Sequence, residues 1–370
     1  MANYGFKLKN KNVIDNIRSP KIYEFNLARN MALLSSDPTI IRYFYQVEAP
    51  KYMNDAMLGI EFKDKFMAQH IEGQAFAYFG LCPMIVQGKV NLVSSNGFVC
   101  ESDNKRIDNV LNRCKDEAKL QDLFSRGAYL ESGLGDFLYR VSYNPKVSEK
   151  PLIDIVEPQN FEVNYKDGRV LYYVLKRTSE DDENYEIREI HYRGEDGGIY
   201  LTYRFFYDGK YVAPNDESLM AQCQNMFKAQ INTKDMKLPF DDFMIVFKKN
   251  DSNNNLYRGE RGVPDIQGLE TIEDALTETI SDLIDAIRKG GVKAYISEEL
   301  IPQTPDGQQL QFNQFNKTIV TTKGSSNPAN PEELFKVEQA HINWEAYTRT
   351  IQNLMSIAIN KAGMSPTTIG

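Results

Sequence analysis

The 370 residues are 42% apolar and 25% charged, a globular mix that argues against a disordered chain. No uninterrupted apolar run approaches the roughly 20 residues needed to cross a bilayer, and the basic N-terminus is followed by no apolar segment of a secretory signal. The net charge of −8 argues against a protein that grips nucleic acid tightly, though not against one along which nucleic acid slides.

Residues 1–80 read as mostly helical, with Asp37-Pro38 as N-cap and first helical position and a second break at Ala49-Pro50. Met84–Val93 and Gly97–Glu101 read as strands across a Ser-Ser-Asn-Gly turn. Lys105–Ser125 reads as one amphipathic helix, its stripe formed by Ile107, Val110, Leu111, Cys114, Ala118 and Leu123. Between about 137 and 250 the pattern predicts antiparallel hairpins: Phe137–Tyr143, Ile153–Val156, Arg169–Arg177, Tyr185–Tyr192, Ile199–Tyr207 and Phe243–Lys248. Turns at Asp167-Gly168, Gly197-Gly198 and Asp208-Gly209 separate several of them, and a helix is expected near Glu217–Phe227.

In the last third, Ile266, Leu269, Ile272, Leu276, Ile280, Leu283, Ile284 and Ile287 keep to one helical face, and Gly290-Gly291 ends that helix. Ile319–Thr322 reads as a strand in a Gln/Asn/Pro-rich segment. Asn330-Pro331-Glu332-Glu333 is expected to open a second long helix with a stripe of Val337, His341, Trp344, Tyr347, Ile351, Leu354 and Ala358.

Motifs for chemistry fail on their spacing. Gly133-Leu134-Gly135 has Leu138 where a dinucleotide loop needs its third Gly, and Gly88-Lys89 is followed by Val90 rather than Ser or Thr. Asp251-x-Asn253-x-Asn255 has Leu256 at the calcium loop's sixth position and Gly262 at its twelfth. Glu180-Asp181-Asp182-Glu183 reads as a solvated hairpin tip. His70, His191 and His341 stand in separate segments; none sits beside a nucleophile, and the last two read as structural. Cys82, Cys100, Cys114 and Cys223 lack paired spacing and suit free thiols in a reducing compartment. No catalytic, cofactor-binding or metal-binding residue is expected.

Four stretches, in order, are similar to the portal proteins of tailed double-stranded DNA bacteriophages, in the branch infecting Gram-positive hosts. They are Ile153-Asp154-Ile155-Val156-Glu157-Pro158 with Asp167-Gly168-Arg169-Val170; Phe240–Phe247 with Arg261-Gly262-Val263-Pro264-Asp265-Ile266; Gly268–Ala275; and Ala362-Gly363-Met364-Ser365-Pro366-Thr367-Thr368. The resemblance implies an α+β portal-like fold: a mixed helical and antiparallel-β wing over 1–264, a first stem helix over 265–289, and a strand-containing clip over 290–331. A second stem helix over 332–361 and the start of a channel loop over 362–370 follow, and the family's crown has no counterpart before Gly370.

It further implies a non-enzymatic structural subunit of a dodecameric ring at the head-tail vertex of the virion, assembled in the host cytoplasm. DNA is packaged and ejected through such a ring, which docks terminase and the head-tail adaptor and meets the major capsid and scaffolding proteins. On this reading Lys361, Gly363, Ser365, Pro366, Glu278, Asp282 and Asp285 face the channel, and Tyr295, Leu300, Ile301, Phe312 and Phe315 of the clip bind partners. The alternatives are a metal-dependent nuclease of a phage or mobile element, and a non-catalytic scaffold or adaptor.

Overall fold

The computed structural model describes residues 20–53, 76–95, 97, 101–117, 119–143, 151–166, 168–228, 231–251, 257, 260–290, 293–297, 319–322, 335–338 and 341–365. The fold is α+β, with sheets that are mainly antiparallel. It divides into two compact units: one of residues 1–63, 80–270 and 362–370, the other of 64–79 and 271–361. Among the described residues no helix is long and apolar enough to cross a membrane.

The first unit opens with helices α1 (Pro20–Leu34) and α2 (Pro38–Tyr43). The Asp37 carboxylate accepts from the Thr39 N–H at 2.7 Å, and Pro38 takes the first turn, as the sequence predicts. Ala49-Pro50 does not break the chain. Helix α2 runs through a π turn (Phe44–Glu48) directly into α3 (Ala49–Met53). The change of bonding register falls beside Pro50, the residue with no N–H to donate.

Met84–Val93, expected as a strand, lies within helix α4 (Leu81–Ser94). Leu81, Cys82, Ile85, Val86 and Val90 are all buried and share one face at helical spacing, which outweighs the β-branched composition. Gly97 and Glu101 are not in a strand, and 98–100 lie outside the described residues. The single helix expected over Lys105–Ser125 is two, α5 (Lys105–Glu117) and α6 (Leu120–Leu134). They part at Lys119, which takes a left-handed φ of 48° and accepts from the Asp122 and Leu123 N–H groups.

Two sheets follow. In the first, β1 (Asp136–Ser142) lies between β2 (Leu152–Val156) and β9 (Ile245–Lys249), with Leu138 opposite Val156 on one side and Phe247 on the other. The second runs β3 (Phe161–Lys166), β4 (Arg169–Thr178), β5 (Tyr185–Arg193), β6 (Ile199–Tyr207), β7 (Lys210–Tyr211), with β8 (Met236–Lys237) also paired to β6. Strand β3 was not foreseen, although every second residue of Phe-Glu-Val-Asn-Tyr-Lys is withdrawn from solvent, the alternation of a half-buried strand.

Leu138 and Ile245 of the first sheet pack with Phe161, Tyr173 and Leu175 of the second. Helix α7 (Glu217–Met226), capped by the Asp216 carboxylate on the Leu219 N–H, closes the rest of that sheet face over Tyr185, Ile187 and Phe205. Leu27 of α1 and Leu130 and Leu134 of α6 cover Phe137.

In the second unit, helix α8 (Glu270–Lys289) stops where Gly290 donates back to the Ala286 carbonyl at 2.7 Å. Its expected first turn, from 265, is non-helical, because Gly268 takes a φ of +80°. A mixed sheet follows: β10 (Lys293–Ser297) pairs in parallel with β11 (Ile319–Thr322) and antiparallel with β12 (Phe335–Glu338).

Asn330-Pro331, expected to open the second long helix, lies outside the described residues. Within the expected helix, Phe335–Glu338 is strand β12, held in register against β10, and helix α9 spans Trp344–Lys361 with Asn343 accepting from the Ala346 N–H at 3.3 Å. Val337 is thus a strand residue, and His341 is exposed and outside the helix. At 1.5 Å per residue the helices are about 30 and 27 Å long.

Candidate functional site

The acids of α8 divide by position. Glu278 and Asp282 are exposed. Asp285, grouped with them in the sequence reading, is buried, and so are Glu270, Glu273 and Asp274. The helix therefore carries a polar buried face that also holds Thr277 and Ser281; the Ser281 hydroxyl donates to the Thr277 carbonyl and accepts from the Ala77 N–H at 2.9 Å. Periodicity marked the apolar stripe but not this second inward side.

After α9, Lys361 is exposed and Gly363 takes a φ of +71° with nothing within 4 Å of where a Cβ would lie. Ser365 is exposed, and Pro366 lies outside the described residues. Tyr295 is on β10, opposite Val320 and Lys336. Leu300, Ile301, Phe312 and Phe315 lie outside the described residues, as do His70 and 252–256.

The sequence reading missed a network in the first unit that gathers the residues just before α8. Asp136, at the start of β1, is fully buried. Its carboxylate accepts from the Gly262 N–H at 3.1 Å, the Tyr23 hydroxyl at 3.1 Å and the Arg261 guanidinium at 3.3 Å. Arg261 also donates to the Phe161 carbonyl at 2.8 Å, with its guanidinium 4.7 Å and 4.5 Å from the centres of the Tyr23 and Phe161 rings. Burial pushes the Asp136 carboxyl above its ordinary value although the Arg261 charge and the Gly262 N–H pull it down. Burial, and then the Asp136 charge, raise the Tyr23 phenol well above its own ordinary value.

Neighbouring pairs extend the network. Asn26 donates to the Tyr257 hydroxyl at 2.9 Å, Arg29 forms an ion pair with Glu270, and Asn250 and Lys89 both reach Asp265. The Arg-Gly dipeptide after an Asn-rich loop was the available signal. Its partner 125 positions earlier was not legible.

A cleft of about 1390 Å³ opens between the two sheets of this unit. On its wall Arg140 donates to Asp154 at 2.9 Å and to Glu189 at 2.8 Å, and Glu189 shares a hydrogen bond with His191 Nε2 at 2.7 Å. Burial acts to raise the Glu189 carboxyl, but the His191 hydrogen bond and the Arg140 charge hold it below its ordinary value. Burial and then the Glu189 charge push the Tyr203 phenol up to about 12.

Arg140 stands on β1 and Glu189 on β5, so the cluster clamps one sheet to the other. His191 shares its Nε2 bond with Glu189, and among the described residues its Nδ1 has no hydrogen-bond partner. His191 is buried, in a strand, as the sequence predicts. Glu189-x-His191, alternate residues of one strand, share a face, and that spacing could have pointed to the pair.

No protein-family model matches the chain, and no curated protein matches it.

Proposed function

We propose that the chain is a portal subunit: a non-catalytic member of a ring through which double-stranded DNA enters and leaves a phage head. The observation that carries this reading is the order of parts. A helical and antiparallel-β unit precedes a helix of 20 residues, a small three-stranded sheet, and a helix of 18 residues ending in a left-handed glycine. Wing, stem, clip and stem follow in that order in the family that the sequence resembles.

The charges support the same use. Glu278 and Asp282 stand exposed four residues apart on one side of α8, and repeated around a ring they would form an acidic wall. Such a wall repels phosphate, so DNA slides without sticking. In this reading the small sheet and its connections dock terminase and the head-tail adaptor, and Lys361 gives each copy one transient phosphate contact.

The test is native mass measurement of the protein expressed from its complete reading frame. A closed assembly of about twelve copies is the expected result. Monomers or symmetric dimers at every concentration would overturn the proposal.

A further inference from the structure

No further inference is drawn: the strongest candidate, the cleft between the two sheets of the first unit where Arg140, Asp154, Glu189 and His191 meet, has its charged groups paired with one another, and nothing in the structure shows what would occupy it.

Discussion

The Gly262 N–H donates to the buried carboxylate of Asp136, joining the first residue of β1 to the segment that leads into α8. Two further donors, from Tyr23 and Arg261, converge on the same carboxylate. Asp136→Ala removes the acceptor that all three share and the carboxylate charge facing Arg261, which keeps its bond to the Phe161 carbonyl. The expected loss is about 3–5 kcal/mol of unfolding free energy. Asp136→Asn should cost less, since burial already disfavours the charged form and the amide oxygen still accepts from Gly262. Urea denaturation of the two variants measures the difference; equal losses would show that the hydrogen bonds contribute little.

The same segment cannot accept a side chain. A Cβ on Gly262 would lie 1.8 Å from the Gly135 carbonyl oxygen, and Gly135 itself accepts from the Asn250 N–H at 2.7 Å. Gly262→Ala is therefore expected to prevent folding or to lower stability by several kcal/mol, on the order of a badly overpacked core site. Gly168→Ala is the control. Its φ is +73° but nothing lies within 4 Å, so the strain alone should cost about 1 kcal/mol. Thermal unfolding of the pair decides whether the close approach or the backbone conformation dominates.

Acid should loosen the clamp between the two sheets. The Glu189 carboxyl lies below its ordinary value of 4.5, so its ionised form stabilises the fold above that pH. The contribution drains as pH falls through the lowered folded value. Asp136 acts in the opposite sense, its raised carboxyl favouring the fold as it becomes protonated and weakening it once ionised. Comparing Glu189→Gln with the unaltered protein separates the two. Their stability gap is expected to be widest at neutral pH and to close below pH 4.5. A gap independent of pH would show that the carboxylate charge is not what joins Arg140 and His191.

The exposed acids of α8 carry a functional prediction. Glu278→Lys with Asp282→Lys changes each copy by four charges, two lost and two gained, and the change is multiplied around a ring. The altered assembly should retain double-stranded DNA in a gel-shift measurement, with binding that weakens steeply as salt rises. The unaltered assembly should not. Equal retention by both would place these two residues away from DNA.

Much of the first unit was legible in the sequence because its strands alternate and its turns carry Gly and Asp; Tyr185–Tyr192 and Ile199–Tyr207 lie within one residue of the observed β5 and β6. The misplaced elements share a cause. Met84–Val93 is rich in β-branched residues yet buries a helical face, and Phe335–Glu338 sits beside helix-opening residues yet pairs with β10. In both, contacts distant in sequence outweigh local preference. The acidic character of α8 was legible, but the burial of Asp285 was not, because the pattern of charge alone does not say which side of a helix is inward. The clamp of Arg140 and Glu189 joins residues 49 positions apart and leaves only the Glu-x-His spacing as a trace.

The central claim is that α8 and α9 line a channel at the centre of a ring. Electron cryomicroscopy of the protein expressed from its complete reading frame tests it directly. The account predicts a closed ring with both helices around the central opening, Glu278 and Asp282 turned toward it, and the small β10–β12 sheet at one end. A ring with these helices on its outer surface, or particles with no central opening, would contradict it.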